Sequence, residues 1–205
     1  MAADRATWLR RALWLVGGTM AYNAVEAGVA LWAGTDARSI ALVGFGLDSV
    51  VEFVAGAVVL WRMTIEARGA PAERVARVEH TVRRFVGLTF FALALYVTLD
   101  AGWVLWRRAI PSASVVGAAL AVLSLLIMPV IAWGKLRAAR AVESRALAAE
   151  AKETLACAYL SFCLLLGLGA NLAVGWWWAD PVAALAMVPW LVREGREAFE
   201  AEEDA

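Results

Sequence analysis

Residues 39–61 read SIALVGFGLDSVVEFVAGAVVLW. A bilayer core needs about 20 mostly apolar residues in a helix, and this run is long enough to cross one. It nevertheless holds Asp48 and Glu52 well inside the span. A carboxylate at mid-helix costs about 2.5–3.5 kcal/mol on the insertion scale, so the pair costs roughly 5–7. The apolar residues around it return about 0.3–0.6 kcal/mol each, or roughly 4–7 together. Such a helix is near break-even by itself. The surrounding bundle must compensate with a partner, water, protons or a metal ion.

Outward from that stretch, the rest of the chain is also apolar. Of its 205 residues 62% are hydrophobic and 19% charged, with a mean hydropathy of +0.68, beyond the roughly half-apolar content of a soluble domain. Five further runs have spanning length, at about 12–33, 85–106, 113–134, 154–174 and 176–192. The expectation is an all-α polytopic membrane protein with six transmembrane helices. A soluble Rossmann or barrel enzyme does not fit this composition. With 19 basic and 19 acidic residues the formal charge is zero, so no nucleic-acid surface is implied. Cys157 and Cys163 share one apolar stretch and form no disulfide framework.

Orientation follows from Lys and Arg, which accumulate on the cytoplasmic side of spans. Sixteen of the 19 fall at the two ends and in the connections 62–84 and 135–153, Lys135 and Lys152 among them; Arg38, Arg107 and Arg108 fall on the other side. Both termini are therefore expected in the cytoplasm. Tryptophans at 32, 61, 106, 133 and 176–178 fall at the span ends, in the layer that indoles favour. The two charged connections read as helical, with Gly69 and Pro71 marking a turn and Glu73–Arg84 an amphipathic approach to the third span. This divides the chain into a membrane domain, 1–192, and a short acidic cytoplasmic tail, 193–205, taken as a solvated end.

Asp48 and Glu52 are i and i+4, so they leave one helix face about 6 Å apart along the axis. Two ionised carboxylates there repel, which favours protons on an empty pair, while a divalent cation needs its ligands deprotonated. A four-coordinate site then needs two more ligands from a neighbouring helix. The fifth span offers Glu153 and Cys157, again i and i+4. Alone, Cys157 reads as a small core hydrophobe and Glu153 as the last cytoplasmic residue beside Lys152. Asp48 and Glu52 have no comparably plain reading. Asn23 and Glu26 either line the same cavity or tie helices together, and Asp100 faces an outer aqueous vestibule. Asp180 reads as the cap of the sixth helix with Pro181 as its first residue, and Asn171 as interhelical glue. His80 reads as solvated, and Glu143 and Glu150 as a solvated face able to attract cations.

The segment from Ser39-Ile40-Ala41-Leu42 through Gly46-Leu47-Asp48-Ser49-Val50-Val51-Glu52 resembles the second helix of the cation diffusion facilitator family. Gly175-Trp176-Trp177-Trp178-Ala179-Asp180-Pro181 is similar to the turn before that family's sixth helix. The resemblance implies a divalent-cation/proton antiporter, usually a homodimer, working by alternating access with two ligands from helix two and two from helix five. Asp48 and Glu52 match the helix-two positions. Glu153 and Cys157 fall at the helix-five positions, where the family commonly has His then Asp; Glu150 with Thr154 is the alternative one turn away. The cytoplasmic metal-binding domain that many members carry after helix six is not expected here, since about thirteen residues follow the sixth run.

The expected function is export of Zn²⁺ or a similar ion (Cd²⁺, Co²⁺, Mn²⁺ or Fe²⁺) from the cytoplasm against protons, with no prosthetic group, across a bacterial inner membrane. The thiolate favours Zn²⁺, Cd²⁺ or Co²⁺ over Mg²⁺ or Ca²⁺. The competing expectation is a non-transporting membrane subunit that binds metal or partners through the same bundle. An enzyme is the weakest reading, because no nucleophile–base pair or phosphate-cradling loop is present.

Overall fold

The computed structural model describes residues 2–36, 40–108 and 115–200, and among them the secondary structure is entirely helical. The helices are α1 (Ala2–Asp36), α2 (Ile40–Ala67), α3 (Ala72–Arg107), α4 (Val115–Val142), α5 (Arg145–Val174) and α6 (Ala179–Glu200). They correspond one for one with the six expected spans, although Arg38 and the start of the fourth expected span lie outside the described residues. Segments Leu42–Ala67, Ala72–Arg107 and Val115–Val142 are long and apolar enough to cross a membrane. α1 is less apolar because Asn23 and Glu26 stand in its middle.

The helices run past the expected spans into the charged connections. α3 has 36 residues, or about 54 Å of rise against about 30 Å of hydrocarbon. Only short turns remain between helices at this end of the bundle. After α2, Gly69 adopts φ +77°, and Ala70 and Gly69 donate their N–H groups to Ile65 and Glu66 carbonyls. This closes α2 with the left-handed turn for which glycine is best suited, and Pro71 then caps α3. The same pattern closes α4, with Ser144 and Glu143 donating to Ala139 and Arg140. There the left-handed residue is Glu143, at φ +54°. Ser144 then caps α5, its Oγ accepting the Leu147 N–H at 3.1 Å.

Three details depart from expectation. α6 begins at Ala179, with the Val182 N–H bonded to the Trp178 carbonyl, so Pro181 is its third residue. Proline is accommodated because the first-turn N–H groups have no intrahelical acceptor. The Asp180 and Asn171 side chains lie outside the described residues. α6 also continues to Glu200, and the 193–200 segment packs on α3 through buried Ala198 and the Phe91–Phe199 ring pair. His80 is half-buried and engaged with neighbours rather than simply solvated.

α1 packs chiefly on α2, α4 on α5 and α3 on α6, with α2 and α5 also in contact. The main core joins Val16, Val59, Phe90, Val142, Leu147 and Leu191 from all six helices. Large apolar residues such as Trp14, Leu95, Trp106, Leu126, Val130 and Trp133 face outward. Carboxylates and hydroxyls face inward, among them Glu26, Asp48, Ser49, Glu52, Ser124 and Glu153. Water would not support an arrangement with this much apolar surface outside. The chain is an integral membrane protein.

Candidate metal site

The i, i+4 spacing on α2 turns Asp48 and Glu52 inward, and the same spacing on α5 turns Glu153 and Cys157 inward from the facing helix. All four are buried, at 4%, 2%, 2% and 1% exposure. The Cys157 thiol lies within interaction range of Asp48 and Glu52. Glu153 shares the electrostatic environment of both and also meets Thr89 of α3. Asp48 Oδ2 and both carboxylate oxygens of Glu52 and Glu153 have no hydrogen-bond partner. Buried polar atoms are normally paired, and an orphaned carboxylate oxygen is among the least favourable groups to leave unpaired. Five such oxygens gather along one α2–α5 interface, with the Cys157 thiol and the Thr89 and Thr154 hydroxyls near them but no hydrogen bond made to any of the five.

These side chains face one another without closing into a finished coordination sphere. Among the described residues, no three His, Cys, Asp or Glu side chains are arranged to hold an ion as they stand.

Asp48 also lines a cleft of about 540 Å³, measured out to its open mouth, between α2, α3, α5 and α6. Asp100, Tyr96, Cys163 and Pro181 share its wall. Asp100, expected beside an outer aqueous vestibule, lines this cleft, which reaches the first carboxylate of α2. Glu52, Glu153 and Cys157 do not line it; they belong to the deeper part of the bundle.

Glu26 of α1 is held by three hydroxyls. Ser49 donates to its Oε2 at 2.9 Å, Tyr22 donates to Oε1 at 3.1 Å, and Ser124 of α4 also donates to Oε1. These bonds tie α1, α2 and α4 together, and Glu26 also shares the electrostatic environment of Asp48, Glu52 and Cys157. Asn23, one turn away, is 1% exposed with neither amide atom hydrogen-bonded.

Sequence reasoning misplaced two charges. Lys135, counted among the cytoplasmic loop cations, is fully buried. Glu150, expected on a solvated face, is 1% exposed and accepts a 2.5 Å bond from the Lys135 ammonium. The ammonium also donates to Thr154 Oγ1 at 2.9 Å. A signal for this was present: Gly117, Ala121, Ser124, Met128, Ala132 and Lys135 fall on one stripe of α4 at helical spacing, and that whole stripe is buried. The ion pair balances both charges where hydration cannot, while Glu150 Oε2 stays without a hydrogen-bond partner. Glu143 is exposed, as expected.

The end of the bundle opposite the cleft is tied by ions. Arg62 of α2, 3% exposed, pairs with Glu66 at 2.5 Å and with Glu79 of α3 at 2.5 Å. Arg5 of α1 reaches Glu66 at 2.7 Å. Glu79 further accepts the Ala146 N–H at 2.6 Å and the Ser144 hydroxyl at 3.1 Å, both at the start of α5.

Acids buried without partners between two helices of a membrane bundle, with a cleft reaching one of them, mark a candidate functional site. The family profile of the cation efflux transmembrane domain matches residues 19–200, and the chain belongs to that cation efflux family. It is also 24% identical, over 163 residues, to an uncharacterized transporter of Synechocystis sp.. That match covers 78% of this chain and 53% of the relative, so the chain spans about half the relative's length. Cation transport, rather than enzymatic chemistry, is the function this family membership supports.

Proposed function

We propose that this protein exports a divalent transition-metal ion, Zn²⁺ or a close chemical relative, in exchange for protons by alternating access. Asp48 and Glu52 of α2 and Glu153 and Cys157 of α5 are its ligands. The observation that carries the reading is the five unpartnered carboxylate oxygens on the facing sides of α2 and α5, beside a buried thiol. A cation supplies the positive charge those oxygens lack, and its departure requires protons to take its place. The thiolate tilts selectivity toward Zn²⁺, Cd²⁺ or Co²⁺, and the three carboxylates keep Mn²⁺ or Fe²⁺ within range.

In this reading all six helices of the 1–192 unit cross the membrane, a bacterial inner membrane. Both termini are cytoplasmic, the 193–205 segment is an acidic cytoplasmic extension, and the protein works as a homodimer. The cleft beside Asp100 then opens outward, while the Arg62–Glu79 ties close the cytoplasmic end. Asn23 and Asp100 contribute cavity wall rather than ligands.

The test is metal tolerance of cells expressing the protein, compared with cells expressing Asp48→Asn. Protection that disappears with Asp48→Asn supports export. Equal tolerance with both overturns it and favours a non-transporting subunit built on the same bundle.

A further inference from the structure

Lys135 stands apart from the other cations of this chain. Its ammonium is fully buried and touches Glu150 and Thr154. Thr154 is in turn a close neighbour of the Glu52 carboxylate, and Lys135 itself interacts electrostatically with Glu52. A single hydroxyl thus lies between this ammonium and one of the proposed metal ligands. Both Glu52 oxygens and Glu150 Oε2 are unpartnered, so acceptors remain on either side of Lys135. Lysine carries three N–H donors on a flexible stem of four carbons, which lets a small rotation exchange one acceptor for the other.

Building on the transport reading above, we propose that Lys135 is a tethered counter-cation of the transport site. It is held on Glu150 and Thr154 while a metal ion occupies Glu52, and it moves onto Glu52 when the ion leaves. A fixed positive charge beside the site opposes a divalent guest, and Glu150 holds that charge back. The two residues therefore set metal affinity in opposite directions. Without Glu150 the ammonium is released onto Glu52 and competes with the ion. Without Lys135 the competitor is gone and Glu150 adds its negative charge to the site. With both neutralised the two effects cancel.

The experiment is equilibrium Zn²⁺ binding to the purified full-length chain, by competition with a chromophoric chelator. It compares wild type, Glu150→Gln, Lys135→Gln, the double variant and Asp48→Asn. Charges this close in a protein interior change affinity by about tenfold or more. The expected results are at least tenfold weaker binding in Glu150→Gln and at least tenfold tighter binding in Lys135→Gln. The double variant should return to within about threefold of wild type. It also keeps the test open where a single variant folds poorly, since it leaves neither charge buried alone. If Asp48→Asn abolishes binding while the Lys135 and Glu150 variants all match wild type or all weaken together, Lys135 is only a staple between α4 and α5. The inference then fails and the transport site stands. If Asp48→Asn binds like wild type, the site assignment fails and takes this inference with it.

Discussion

Replacing Glu79 by alanine should unlock the end of the bundle that holds α2 against α5. Glu79 pairs with buried Arg62 at 2.5 Å and accepts the Ala146 N–H at 2.6 Å and the Ser144 hydroxyl at 3.1 Å. A hydrogen bond to a charged group contributes about 1.5–3 kcal/mol, and partners acting on one carboxylate do not add fully. The Glu79 side chain is 18% exposed, which reduces the ion-pair share, and Arg62 keeps Glu66 as a partner. The expected loss is about 2–4 kcal/mol. For a chain of this length that lowers the unfolding midpoint by about 4–16 °C. Tryptophan fluorescence during heating in detergent micelles reads it directly, since the chain has 11 tryptophans. Glu79→Gln, which retains a neutral acceptor, should lose about half as much. A Glu79→Ala midpoint within about 1 °C of wild type would refute the idea that this carboxylate ties α2, α3 and α5 together.

Two further substitutions test how the helices meet. A Cβ at Gly34 would stand 2.8 Å from the Val43 backbone nitrogen and 3.1 Å from the Leu42 carbonyl carbon. Gly34→Ala should therefore push α1 off α2 and destabilise the fold by about 1–3 kcal/mol in the same melt. Glu143→Gly should raise stability by about 0.5–1 kcal/mol, because Glu143 is exposed and held at φ +54°, a conformation that glycine adopts freely. An unchanged or lower midpoint would show that the α4–α5 turn draws something else from this side chain.

The number of helices was legible because each of the six apolar runs is long enough to read as a helix, although among the described residues only segments of α2, α3 and α4 are long and apolar enough to cross a membrane. The inward face of α2 was legible for a related reason: Asp48 and Glu52 stand so far inside an apolar run that only the bundle interior can hold them. Glu153 and Cys157 were legible through spacing, once α2 required a partner. Lys135 and Glu150 were not, because a charge next to a hydrophobic run looks like a loop residue until its neighbours on the helix face are considered. α4 and α5 continue as helices well beyond the apolar segments, so residues beyond the expected span end still face the core. The start of α6 was misplaced by two residues, because Pro181 fits anywhere in the first helical turn, not only at its first residue. Glu26 could not be resolved from sequence, since its three hydroxyl donors, Tyr22, Ser49 and Ser124, come from three different helices.

The central claim is that the acids between α2 and α5 exchange protons for a metal ion. The most direct measurement is Zn²⁺-driven proton movement in proteoliposomes, recorded with a pH-sensitive dye inside the vesicles and a zinc indicator beside it. Wild-type protein should move the two ions in opposite directions, and Asp48→Ala should move neither above the level of empty vesicles. Zinc and proton fluxes in Asp48→Ala equal to those of wild type would contradict the account.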